Sequence, residues 1–549
     1  MSTALPLSWQ SIASRSLPML DLLLQNGLIC DGTGTSPFVG DVSIRDGKIV
    51  EIAPHITEEA RETVDVSGLV IAPAFIDMHS HSDAWFVKDD RCQAKLYQGV
   101  ATEVVGQCGS SQFPRSVSQV SRIRRETEAG KLSVMGAYQA GTFEKLRRLR
   151  GDRKMSTNLV QFIGHNAIRN GVVGPMARPA WEDEIKISQF LLTQAIEQGV
   201  WGMSLGLGYV PGLFADKAEL ASLMEICYID DIMVSVHMRN ECEQVFESLE
   251  EMIELAKMTK VRLHISHLKL GAKEVWGKAE ELYNRIQQAN AEGARITADL
   301  YPYNACSTGL SSRLPDWALD GGGARCAKRL EREPEFRESV LEYLRPRYPA
   351  REDGDRLYIV GTGGRCPDID GKTVGQLSEE WGLPVPEAIV ETLIRTGCAD
   401  DAIITNMDEK DVLWLLGRND LTIGSDASCR PFDPAASDGK PHPRTYGTFP
   451  RFLRLCREHG LCPVETAVHR ITQLPASIVG LPDRGVLKPG MVADVTVFNK
   501  DTITDTATYD EPFRKPVGVE HVIMNGQFAL KNGEQTDARL GDYLLKPYL

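Results

Sequence analysis

Residues 68–83 read GLVIAPAFIDMHSHSD. The apolar run Leu69–Ile76, bounded by Gly and Pro and rich in Val and Ile, reads as a buried parallel strand. Residues two apart on a strand point the same way, so His79 and His81 project together from its carboxyl end. Parallel α/β barrels place their chemistry there, and two imidazoles of matched direction form a metal clamp. Two histidines on an exposed loop would be the alternative, and the rest of the chain decides between them.

The chain has 549 residues, which implies one large barrel with appendages. Its 42% hydrophobic and 25% charged content leaves apolar area for a substantial core. A net charge of −14 argues against non-specific binding to nucleic acid or to an anionic membrane. The twelve cysteines include no CxxC pair and read as reduced core residues of a cytoplasmic protein. No apolar stretch reaches the ~18–20 residues needed to span a bilayer. Met1–Met19 has no continuous apolar segment of the secretory kind.

Residues 21–67 read as short strands, with an Asp-Gly hairpin inside DVSIRDGKIVEI. Residues 485–549 repeat this style, with Asn-Gly turns. Two β-rich ends around a long middle predict a small β-sandwich assembled from both termini, after an N-terminal extension over 1–20. Between them, over 68–484, apolar runs alternate with helical stretches, the pattern of a parallel α/β fold. After the opening strand the runs end at Cys108, His165, Tyr209, His237-Met-Arg239-Asn-Glu241, His267-Leu-Lys269, Tyr301-Pro-Tyr303 and Asp426. Eight strands tipped by polar groups predict a (β/α)₈ barrel with its site on the strand ends. The runs LYIVG and AIITN, near Val360 and Thr405, do not fit that count. Residues 311–356, rich in Arg, Glu and Gly, read as a lid-like insertion over the barrel mouth.

Of eleven histidines, His55, His442, His459, His469 and His521 lie in loop or helical contexts and read as structural. His79, His81, His237 and His267 end β-type runs, and Asp426 completes the order HxH, His, His, Asp. This order resembles the metal signature of the amidohydrolase superfamily, which implies a distorted barrel, one or two divalent ions and hydrolysis at an amide or ester carbon. The fourth strand, GMSLGLGY, carries no lysine that could bridge two metals, which leaves Cys108 of GQCGS as the candidate. This variant is similar to the N-acyl-D-amino-acid deacylases over nearly the whole chain: FIGHNAIR, HMRNE, HISHLK, DLYPYNACST, GSDAS, HPRTYGTFPR and MVADVTVF carry the likeness.

The resemblance implies a tight zinc site of Cys108, His237 and His267 and a second, weaker site of His79, His81 and Asp426, with His264 facing the core. It implies Asp426 as general base and then acid, and Lys269, Tyr301, Ser307 and Arg444 as binders of the α-carboxylate of an N-acyl-D-amino acid. His165 and Arg239 read as supports that orient the ligands. Ala74 replaces a usual Gly, Gln107 a usual Asn, and the spacer from Asp426 to Arg444 is longer than in the family. A cyclic amidase or D-dipeptidase of the same superfamily, or a non-catalytic scaffold on the same fold, are the competing readings.

Overall fold

The run 68–83 belongs to two sheets. In the computed structural model, which describes residues 19–547 apart from 131, 133 and 438, Val70–Pro73 pairs antiparallel with Val495–Phe498 and parallel with Leu28 and Ile29. The N–H of Ala74 then donates to Asp494 O at 2.9 Å, and that of Phe75 to Gly99 O at 3.0 Å. The bond from Ala74 is the last of the first ladder and that from Phe75 the first of the barrel. The single strand read over Leu69–Ile76 is therefore two short ones, and the barrel begins at Phe75.

The barrel strands are β1 (Phe75–Asp77), β2 (Val100–Val105), β3 (Asn158–Gly164), β4 (Gly202–Gly206), β5 (Met233–His237), β6 (Leu263–Ile265), β7 (Ile296–Leu300) and β8 (Thr422–Ile423). They pair in parallel in chain order. A bridge between Ser80 and Ala427, and an Asp426 N–H bond to His79 O at 2.8 Å, join β8 to β1. With β1 and β8 this short, the fold is a distorted (β/α)₈ barrel carrying a small β-sandwich domain built from both termini. These strands are buried almost throughout, as parallel strands covered by helices must be.

The β domain is one nine-stranded sheet folded on itself. Leu22, Leu24, Val42 and Ile44 from the N-terminal part meet Val495, Val497 and Ile523 from the C-terminal part in one core. Phe75 of β1 stacks on Phe449 and edges onto Phe498, which joins barrel and β domain. The C-terminal stretch does not stay within the sandwich. Tyr543–Leu544 runs parallel beside Leu159 and Val160, below the point where β4 takes over at Phe162.

The runs LYIVG and AIITN are not barrel strands. Leu357–Gly361, Asp401–Thr405 and Ala305–Thr308 form a separate antiparallel sheet. Its apolar residues share a core with Leu330, Val340, Leu377 and Leu393 from the helices between them. The inserted element thus begins a few residues before 311, at Ala305, and runs well past 356, to Thr405. The N-terminal extension expected over 1–20 lies outside the described residues up to 18. No helix among the described residues is long and apolar enough to cross a membrane.

Beneath the strand tips lies a buried ionic layer. Lys95 Nζ donates to Asp77 Oδ2 and Ser425 Oγ, each at 2.6 Å, and to Ala427 O at 2.8 Å, with Glu103 Oε2 at 3.7 Å. Glu103 also accepts from Ser80, Ser82 and Thr157. Each charge is compensated, as burial demands, and the layer ties together the tips of β1 and β8.

Candidate active site

The candidate ligands emerge from the carboxyl ends of five strands: His79 and His81 after β1, Cys108 after β2, His237 at the end of β5, His267 after β6 and Asp426 after β8. Cys108 Sγ lies 3.3 Å from His79 Nε2 and 3.4 Å from His267 Nε2. His267 Nε2 is 3.1 Å from His237 Nδ1, and His81 Nε2 is 3.0 Å from Asp426 Oδ1. Cys108, His267 and Asp426 adopt φ of +51°, +40° and +50°. That left-handed region costs a non-glycine residue ~1–3 kcal/mol and clusters at functional sites. Gly106 and Gly109 bracket Cys108, also at positive φ; a Cβ on Gly106 would stand 2.2 Å from Phe162 O.

These side chains are held from behind. Asp299, at the end of β7, accepts from the His267 N–H at 2.8 Å and lies 2.9 Å from His264 Nε2 and 3.6 Å from His79 Nδ1. His264 is buried and also meets Thr297 Oγ1, so it faces the barrel interior. Glu241 Oε1 is 3.0 Å from His267 Nδ1, and its Oε2 takes Lys269 Nζ at 2.7 Å. Burial would raise Glu241, but His237 and Lys269 hold it below the usual carboxylate range. Burial lowers His237 to about 3, so its imidazole is neutral and free to ligate. Burial, then the Asp426 and Glu241 carboxylates, push the Cys108 thiol well up.

A divalent ion fits this donor set. Zinc bonds of 2.0–2.3 Å put neighbouring tetrahedral ligands about 3.3–3.8 Å apart, and the ligand atoms here are 3.0–3.5 Å apart. His79, His81, Cys108 and Asp426 form one such group and Cys108, His237 and His267 another, sharing the thiol. A buried thiol among imidazoles and carboxylates gains most from a cation that stabilises its thiolate.

Around the cluster stand the cations. Arg444, in the first turn of the helix Arg444–His459, is buried, and its Nη1 meets Asp426 Oδ2 at 2.8 Å. Burial would raise Asp426, yet Arg444, His267 and His81 keep it well below its usual range. His442 fixes the Arg444 backbone, accepting its N–H at 3.0 Å. Arg444 and Lys269 both lie over the Tyr301 ring, at 4.8 and 5.7 Å. Tyr301 Oη is buried with no partner among the described residues. Ser307, on Ala305–Thr308, offers its carbonyl to Arg444 at 3.4 Å.

Two cavities open from Asp426. One, of about 140 Å³, is lined by His237, Glu241, His267, Lys269, Ser307 and Arg313. Arg313 donates to Ser312 Oγ at 3.3 Å and to Cys242 Sγ at 3.7 Å. It forms no ion pair with a carboxylate among the described residues. The other cavity runs from His81 and Cys108 to Arg115.

The chain resembles known proteins over nearly its whole length. The chain is 31% identical over 508 residues to a D-aminoacylase of Alcaligenes xylosoxydans xylosoxydans, covering 92% of this chain and 93% of the relative. It belongs to the N-acyl-D-amino-acid deacylase family. An N-acyl-D-glutamate deacylase from the same organism is 30% identical over 517 residues, with the same coverage. A model described as an amidohydrolase family matches residues 411–529. A crystal structure of N-acyl-D-glutamate deacylase from Bordetella bronchiseptica, complexed with zinc and a phosphonate mimic of the tetrahedral intermediate, superposes with a TM-score of 0.80. Its identity is 29%, over 96% of this chain and all of that one. The chain is thus a metal-dependent amidohydrolase by family.

The six expected ligands, Lys269, Tyr301, Ser307 and Arg444 converge on one place. Two expected supports do not reach the ligands. His165 Nε2 pairs with Glu219 Oε1 at 2.9 Å, beside Arg169, behind the barrel wall. Arg239 binds Glu251 and the carbonyls of Leu213 and Ala215, bracing a loop. Their strand-end position is right, but compensation of Glu219 and Glu251 claims them. Asp299, Arg313 and the supporting role of Glu241 were missed. Period-2 alternation from Tyr301 on the same run places Asp299 beneath it, and this was the available signal.

Proposed function

We propose that this deacylase hydrolyses N-acyl-D-amino acids to a carboxylate and a free D-amino acid, with a preference for acidic side chains. The ligand cluster flanked by a carboxylate-binding set carries the first part; Arg313 carries the second. A guanidinium without a carboxylate partner, in a cavity that opens from Asp426, is a costly arrangement that a ligand carboxylate relieves with two parallel bonds. The cavity is on the scale of one benzene-sized group, which accommodates a carboxyethyl chain.

Cys108, His237 and His267 would hold the tight zinc ion, with His79, His81 and Asp426 as a weaker second site sharing the thiol. A bound ion supplies Lewis acidity towards the scissile carbonyl and the attacking water. Asp426 takes the proton of that water and returns it to the departing nitrogen. Lys269, Arg444 and Tyr301 fix the α-carboxylate. With the carbonyl and the side chain also fixed, three attachment points distinguish D from L. A cytoplasmic location suits the reduced thiol that this chemistry requires.

The test pairs N-acetyl-D- and N-acetyl-L-amino acids (Glu, Asp, Met, Leu, Phe, Trp) with zinc-loaded protein, assaying free amine. Turnover of D-forms only, led by Glu or Asp and losing that lead in Arg313→Met, is the expected result. Turnover led by Leu or Phe would overturn the acidic preference. No turnover of any pair with zinc bound would overturn the deacylase reading in favour of cyclic amides or D-dipeptides.

A further inference from the structure

A scissile amide has two arms, and two cavities meet at Asp426. If the amino-acid arm lies towards Lys269 and Arg313, the acyl arm lies in the second cavity. That cavity measures about 550 Å³ and passes Ser110, Asn166 and Asn170 on its way to Arg115. An acetyl group would occupy a small part of it, whereas ligand pockets bury most of the ligand they are shaped for.

Arg115 is the charged group there. Its Nε donates to Gln139 Oε1 at 2.6 Å, Nη1 to Pro114 O at 3.0 Å and Nη2 to Ser111 O at 2.9 Å. All three acceptors are neutral, and Arg115 forms no ion pair with a carboxylate among the described residues. Burial pulls its pKa down to about 10. A guanidinium has five N–H donors, so two remain for a ligand. Bracing the turn at 111–115 explains the three neutral bonds. It does not explain why a half-buried guanidinium in this cavity has no carboxylate partner among the described residues.

We propose that the second cavity takes an acyl group ending in a carboxylate, of the hemisuccinyl class, with Arg115 binding that terminal carboxylate. The inference rests on the deacylase reading. Water adds to the acyl carbon and the C–N bond breaks. The nitrogen keeps the electron pair and gains the proton, leaving a dicarboxylate and the D-amino acid.

The experiment compares kcat/KM of the zinc-loaded enzyme for N-succinyl-D-Glu, N-pentanoyl-D-Glu (similar length, no charge) and N-acetyl-D-Glu, in wild type, Arg115→Met and Arg115→Lys. A charge-assisted bond predicts a succinyl:pentanoyl ratio of about 10–100 in wild type, collapsing towards one in R115M and partly restored in R115K. The ratio is internal to each variant, so a general loss of stability does not alter it. Should R115M fail to fold, stronger inhibition of the wild type by succinate than by pentanoate carries the same test. A wild-type ratio near one, or one unchanged in R115M, overturns the inference while turnover of N-acetyl-D-Glu upholds the deacylase reading. No turnover of any of the three overturns both.

Discussion

Arg444 Nη1 and Asp426 Oδ2 lie 2.8 Å apart, so one ion pair links the proposed carboxylate binder to the proposed general base. The guanidinium holds Asp426 anionic and, in the proposed reaction, presents its remaining donors to a substrate. Removing it harms two steps together. Arg444→Met should lower kcat as well as raise KM, with kcat/KM falling about 10–150-fold if one charged hydrogen bond is lost. Steady-state kinetics at constant zinc content checks this; a change in KM alone would assign Arg444 to binding only.

The ligand and proton-transfer roles separate by substitution. Cys108→Ser should purify without stoichiometric zinc, because the thiol belongs to both ligand groups. Asp426→Asn should keep the ion held by Cys108, His237 and His267 yet lose about 10²–10⁴ in kcat. Elemental analysis beside single-turnover kinetics reads both. Equal zinc loss in the two variants would refute the division.

Glu241 touches His267 and Lys269 but no candidate ligand position of its own. Glu241→Gln should weaken zinc binding by about 10–100-fold, the usual effect of removing a carboxylate behind a metal-bound histidine. Competition with a chelator measures it. An unchanged affinity would leave Glu241 as a partner of Lys269 alone.

Lys95 is a stability residue. Burial alone would lower its pKa, but Asp77 and Glu103 more than offset that and raise it, so the ammonium persists. Lys95→Met leaves two buried carboxylates short of their cation and should cost about 3–5 kcal/mol. Thermal unfolding should fall accordingly, and Asp77→Asn in the same chain should recover part of the loss. Because the folded pKa is raised, this contribution is full at neutral pH and fades only as pH rises above the ordinary lysine range.

Cys462 lies with its Sγ 3.6 Å from that of Cys456. Its contact with Cys456 lowers its pKa, against the opposing effect of burial. Thiolate is the reactive form, so iodoacetamide should modify Cys462 first. Peptide mapping that found Cys366 or Cys398 modified first would contradict this.

Much of the barrel was legible because each buried run ends in a side chain that a buried strand has no reason to carry. The HxH pair, Cys108, His237, His267 and Asp426 all stand out that way. What stayed hidden has physical causes. Periodicity shows that residues 69–76 are buried but not in which sheet, so the change of partner at Ala74 left no mark. LYIVG and AIITN have the composition of barrel strands, and only pairing distinguishes them. Positive φ at Cys108 runs against residue preference, and His267 and Asp426 are of types that adopt such backbone too rarely for sequence to announce it. Arg313 and Arg115 resemble surface arginines until the lack of a carboxylate partner among the described residues is seen.

The passage of residues 70–77 from one sheet to another has a further meaning for biosynthesis. Val70–Pro73 finds its antiparallel neighbour only at Val495–Phe498, so the segment that leads into His79 has no finished seat until more than four hundred later residues have left the ribosome. Assembly of the candidate metal site is therefore a late event. Nascent chains halted before Val495 should hold the histidine pair untethered, and protease protection of 70–81 should appear only once Val495–Phe498 is free to pair.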